Sequence, residues 1–173
     1  MRLDFHDALR AACLAAALVL TAVPAAARAG VVLDASVGKG VQVSPGTEAM
    51  PTNVMLAPGL SFFDDILEAQ LGVVADLTDV RNSSVQSPKL DMELRPMLKI
   101  APPLLPIYGK AILAVTNLTG NAGGTTVAYG GALGTQLKLA GVGLFLEAGT
   151  LPRSVNGTFV WVVEGRAGVS LSL

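Results

Sequence analysis

Residues 89–100 read KLDMELRPMLKI. Taken two at a time, Leu90, Met92, Leu94, Pro96, Leu98 and Ile100 form one row. Lys89, Asp91, Glu93, Arg95, Met97 and Lys99 form the other. Successive side chains of a β-strand point to opposite faces, so the segment is a strand with one apolar and one densely charged face. Which face meets the surroundings decides what kind of protein this is.

The same period runs outward from that strand in both directions. Residues 31–43 set Val31, Leu33, Ala35, Val37, Val41 and Val43 against Asp34, Ser36, Gly38, Gly40 and Gln42. Lys39 interrupts the apolar row near the strand's far end, where a long side chain can snorkel. Residues 54–62 set Val54, Leu56, Leu60 and Phe62 against Met55, Ala57, Gly59 and Ser61, and residues 67–77 repeat the pattern with Glu68, Gln70, Gly72 and Asp76 on the polar side. Further strands are expected over 105–116, 127–139, 142–151 and 158–173, with Lys110, Lys138, Glu147, Glu164 and Arg166 on their polar faces. Pro58 and Pro96 cannot donate to a ladder paired on both sides, so a bulge is expected at each.

That makes eight strands. Their connections alternate in length: 44–53, 78–88 and 117–125 are longer, 63–65, 101–103 and 140–141 are short, and 152–157 is intermediate. An even strand number with short turns at one end and longer loops at the other fits an up-and-down barrel that crosses a membrane.

Composition agrees. The 173 residues are 51% hydrophobic and only 14% charged, with mean hydropathy +0.57. Part of the excess is an N-terminal segment. Arg2 and Arg10 precede an apolar run over 11–23, and Ala27-Arg28-Ala29 offers small residues for cleavage, which is the layout of a secretory signal peptide over 1–29. The barrel domain is then 30–173. It holds nine basic and eleven acidic residues, no cysteine and no histidine. That excludes disulfides and thiol chemistry and gives no reason to expect a nucleic-acid partner.

The glycines speak to which face is inside. Gly38, Gly40, Gly59, Gly72, Gly130, Gly134, Gly143, Gly149 and Gly168 lie on the polar face, against Gly109, Gly131 and Gly165 on the apolar one. A solvated surface has no steric need for glycine in strands, whereas the interior of an eight-stranded barrel is barely wide enough for its side chains. The expected lumen is an ion network of Asp34, Glu68, Asp76, Asp91, Glu93, Glu147 and Glu164 with Arg95, Lys99, Lys110, Lys138 and Arg166, since buried charge must be balanced. The alternative is a soluble, lipocalin-like periplasmic barrel with its apolar rows inside, binding an apolar ligand.

A signal peptide, eight alternating strands, sorted loops and a final strand reaching the last residue together resemble the small eight-stranded outer-membrane barrels of the OmpA/OmpX type. The resemblance covers 30–173 and is one of pattern. It implies an all-β, eight-stranded antiparallel transmembrane β-barrel in the cell outer membrane, in contact with lipid. It also implies recognition by the barrel-assembly machinery through the last strand, VVEGRAGVSLSL, although that signal ends in an aromatic residue in the class and in Leu173 here. Phe62 and Phe63 are expected in one interfacial girdle, Tyr129, Phe159 and Trp161 in the other.

No catalytic constellation stands out. Enzymes among such barrels use a histidine with a serine or carboxylates, and the barrel domain has no histidine. The run 120–124 lacks the Lys-Ser/Thr of a phosphate loop. No cofactor or metal is expected, barring an oxygen-only calcium site. A filled lumen argues against a wide pore. The sequence reading is therefore a non-enzymatic protein with a structural role, or one that binds through loops 44–53, 78–88 and 117–125.

Overall fold

The computed structural model describes residues 30–77, 92–116, 118, 126–155 and 158–173. The expected signal peptide lies outside them, as do Asp91 and nearly all of loops 78–88 and 117–125. The strands are β1 (Gly30–Ser44), β2 (Glu48–Phe62), β3 (Leu67–Asp76), β4 (Met92–Ile100), β5 (Ile107–Thr116), β6 (Thr126–Leu139), β7 (Val142–Thr150), β8 (Arg153–Val155) and β9 (Thr158–Ser172). Neighbours pair antiparallel from β1 through β7 to β9, and β9 returns to β1, so the sheet closes. β8 is a short strand laid on the start of β9, within a stretch expected as loop. The wall is thus an eight-stranded up-and-down barrel without a free lateral edge along most of its height.

Several boundaries differ from expectation by a residue or more, and three of the differences have a local cause. β2 starts at Glu48, so the first connection is 45–47 and not 44–53. Glu48 pairs with Gln42, so cross-strand pairing carries the ladder past the point where the apolar alternation fades. β5 begins at Ile107 and not Leu105, because Pro102, Pro103 and Pro106 hold 101–106 in a turn where Leu105 N donates to Pro102 O at 3.3 Å. β7 stops at Thr150. Continuing its register would put Pro152 opposite Tyr129, and proline has no N–H for that rung.

The bulges expected at Pro58 and Pro96 are absent. The β2–β3 register runs Leu56↔Val73 and then Gly59↔Gln70, skipping two rungs without a shift; β4–β5 likewise runs Leu94↔Val115 and then Met97↔Ile112. Ala101 N donates to Ile66 O, which fixes the alternation of bonding directions across β3. By that alternation Pro58 turns its missing N–H toward Leu71, and Pro96 toward Leu113. Each proline costs the ladder one donor and leaves the register intact. The real register shifts are in β1, at Lys39/Val41 against β2 and Gln42/Ser44 against β9.

The short-turn end is built tightly. Phe63, Asp64 and Asp65 all take positive φ (56°, 54° and 67°), and Ile66 N donates to Phe63 O. Asp tolerates this region through local hydrogen bonding. Phe62 is buried, so of the two girdle phenylalanines expected here only Phe63 is exposed.

The face assignment is unambiguous. Glu68 and Lys99 are 0% and 1% exposed, while Leu56, Leu71, Leu98, Ile107, Leu113, Leu133, Leu144, Leu146 and Val163 all stand exposed on the outer wall. The soluble-barrel alternative needs the reverse arrangement and fails on this point. The inner glycines lie where the lumen is tightest: a Cβ on Gly38 would sit 2.7 Å from Glu164 Oε1, and one on Gly134 2.3 Å from the Tyr108 ring. The sequence placed Met55, Ala57 and Met97 on the inward face, but not the patch they join. Met55, Ala57, Val74, Met97, Ile112, Ala114, Ala128 and Ala132 form an apolar patch on the inner faces of β2–β6, joined by Leu151 as the chain turns inward after β7. The Thr150–Leu151 backbone passes so close to Gly130 that a Cβ there would lie 1.9 Å from Thr150 O. The lumen is half ionic and half apolar.

The luminal ion network

The strand phase points the charged side chains of the network inward, and the small residues opposite give them room. Nearest the short turns, Lys99 Nζ donates to Glu68 (3.0 and 3.1 Å) and to Gln136 Oε1 (2.7 Å), and lies 4.7 Å from the Tyr108 ring centre. Gln70 Nε2 donates to Glu68 Oε2 at 3.2 Å and to Asp34 Oδ2 at 2.8 Å. Lys138 sits at the rim, bonded to Asp65 at 3.0 Å and 3.6 Å from Glu68.

Across the middle, Glu147 Oε2 accepts from Lys110 Nζ at 2.7 Å and from Tyr108 Oη at 2.9 Å, with Arg166 Nε 3.8 Å from its other oxygen. Toward the longer loops, Arg95 bonds Glu93 and Glu164, the latter at 2.8 Å. Arg166 bonds Glu164, Asn53 and Ser36. Asn53 Nδ2 donates to Glu164 Oε1 at 3.3 Å, tying the group together. Asp76 and Glu93 are half-buried and, with Arg95 and Glu164, line a cavity of about 100 Å³ above this group.

Of the twelve residues expected in the network, all but Asp91, which is outside the described residues, face the lumen or its rim. They are not all joined by direct ion pairs. Among the described residues Asp34 is hydrogen-bonded by Gln70, and Lys138 joins from the rim, 3.6 Å from Glu68. The uncharged members Asn53, Gln70, Gln136, Tyr108 and Ser36 were not picked out. Asn53 had been read as loop, yet it is in phase with Met55 and Ala57, which was the available signal. Among the described residues no group of His, Cys, Asp or Glu is arranged to hold a metal ion. Glu68, Glu93, Glu147 and Glu164 are each neutralised by a Lys or Arg at this range, which locks their part of the lumen.

The rim pair yields a pH prediction. Partial burial raises the Asp65 carboxyl, but hydrogen bonds from Ser61 and Lys138 and the charge of Lys138 outweigh it and hold it below the usual carboxylate range. A depressed carboxyl stabilises the fold above its unfolded value, and that contribution is lost as pH falls through the folded one. Lys138→Met should therefore lower stability at pH 7 and flatten the acid limb of a stability-against-pH curve below about pH 4. An unchanged acid limb would refute the pairing.

No protein-family model matches the sequence, and no curated protein matches it. Among solved structures the chain is similar to Neisserial surface protein A, at 15% identity over 83% of this chain and 96% of that one, with TM-score 0.47. It is also similar to the N-terminal β-barrel domain of Pseudomonas aeruginosa OprF, at 12% identity over 82% and 97%, with TM-score 0.42. By its own topology and the placement of its side chains, the chain is an all-β, closed, eight-stranded antiparallel barrel with its charges inside and its apolar rows outside.

Proposed function

We propose that the protein is a non-enzymatic barrel of the cell outer membrane, spanning the bilayer with β1–β7 and β9. The observation that carries this reading is the exposed apolar row on every wall strand around a lumen holding fully buried Lys99, Glu68 and Asp34. Soluble monomers rarely expose a contiguous apolar surface beyond a few hundred Å², and a closed barrel is one of the two ways to satisfy backbone polar groups in lipid. The hydrocarbon is the partner that fits such a wall. Assembly would proceed through β9 and the barrel-assembly machinery. Any binding role would rest on the longer connections expected over 78–88 and 117–125, carried on a rigid scaffold. The lumen is plugged by paired ions and Leu151, which supports a structural role over a conducting one.

The test is fractionation of expressing cells followed by detergent gels of boiled and unboiled samples. Recovery in the outer-membrane fraction with a heat-dependent mobility shift is the expected result. Recovery as a soluble periplasmic protein would overturn the reading.

A further inference from the structure

The lower lumen holds a buried carboxylate that its neighbours leave half unsatisfied. Asp34 is 1% exposed. Its Oδ2 accepts from the neutral amide of Gln70, and its Oδ1 has no hydrogen-bond partner. Among the described residues no Lys or Arg lies within ion-pair distance of it: Lys99 is engaged by Glu68 and Gln136, and Lys138 by Asp65 and Glu68. An isolated buried carboxylate is very costly unless something positive compensates it.

Two further oxygens at the same place are also unsatisfied. Ser170 is Asp34's cross-strand partner on β9, 1% exposed, with Oγ unpartnered. Directly opposite residues on one face of an antiparallel pair have Cβ atoms roughly 5 Å apart. Gln70, 5% exposed, reaches Asp34 over Gly59 of β2 and leaves Oε1 unpartnered. Gly59 lets it do so, since a Cβ there would sit 2.8 Å from Gln70 Cγ. One carboxylate oxygen, one amide oxygen and one hydroxyl oxygen, on side chains that the β1–β9 register and the Gln70–Asp34 bond hold next to one another, therefore have no protein donor among the described residues.

We infer that Asp34 Oδ1, Gln70 Oε1 and Ser170 Oγ form a binding site for a small monovalent cation of the alkali class. All three ligands are hard oxygens, the class that selects alkali and alkaline-earth ions over transition metals. The charge to be balanced is one. A divalent ion would leave one positive charge uncompensated beside Lys99, whereas a monovalent ion balances Asp34 alone. The cation completes the electroneutrality of the lower lumen, beside the Lys99–Glu68 pair.

The experiment is thermal unfolding of the folded barrel in detergent, at constant ionic strength, exchanging N-methylglucamine chloride for lithium, sodium or potassium chloride. The expected result is a saturable rise in Tm, about 5 °C at ten times the half-saturating concentration, for one of these cations over N-methylglucamine. Asp34→Asn should abolish the rise, and Ser170→Ala, which removes one ligand and no charge, should move half-saturation several-fold higher. A thallium soak of crystals should place an anomalous peak among the three oxygens. Equal Tm in every salt would overturn the inference, since a bound water or a proton on Asp34 satisfies the oxygens without cation selectivity. A rise that survives in both variants would overturn it too, by placing the ion elsewhere.

Discussion

Lys99→Met should destabilise the barrel by about 3–5 kcal/mol, the usual cost of removing one partner of a buried pair. Lys99 is 1% exposed and is the main cation on Glu68, which is 0% exposed. Methionine fills much of the same volume, so the loss reports charge and hydrogen bonds more than packing. The truncation also removes the donor to Gln136 and the cation beside Tyr108. Lys138, 3.6 Å from Glu68, softens the blow without replacing a direct bond. Equilibrium urea unfolding in lipid vesicles measures the loss. The double variant Lys99→Met/Glu68→Gln should recover most of it, because the uncompensated charge is gone and well-packed neutral replacements of buried ions are often close to neutral. A single variant within about 1 kcal/mol of the parent, the range of an exposed pair, would mean that water reaches this part of the lumen.

Leu71→Arg carries the second large effect, because it tests what the outer wall touches. Leu71 lies midway along β3, outward-facing and 47% exposed, opposite Pro96 on β4 and, by continuity of the β2–β3 register, level with Pro58 on β2. An arginine near the bilayer midplane of a barrel wall costs roughly 2–4 kcal/mol, falling to about 0–1 near the interfaces. The expected outcome is weakened or failed membrane assembly for Leu71→Arg and near-parent behaviour for Tyr129→Arg, which lies on the outer face toward the longer loops. If Leu71→Arg assembles as well as Tyr129→Arg, that face does not meet hydrocarbon.

Much of the architecture was legible because a strand's side-chain period is two and admits no drift. Once Arg95 and Lys99 were placed on one face, Leu98 and Ile100 had to take the other, and the structure keeps them there. Elements were misjudged where pairing outweighs pattern. Polar Glu48 is strand because Gln42 stands opposite it, and Leu105 is turn because Pro106 holds it off the ladder. Pro58 and Pro96 looked like bulges. In the barrel each simply omits a rung, since both neighbouring strands keep the register through the remaining bonds.

The sequence by itself determined which side chains share a face, how many strands build the wall and that the polar face would be crowded with glycine. Those follow from the period of the strand and the volumes of the residues, which are local properties. Only the tertiary structure decided who meets whom inside. Arg95 finds Glu164 and Arg166 finds Asn53, 69 and 113 residues away along the chain, because barrel closure and the stagger between strands set which inward residues stand level. Closure also set Asp34 opposite Ser170 and turned Leu151 into the lumen. Ionic partners across a closed sheet depend on the sum of every register around it, and no single strand's pattern contains that sum.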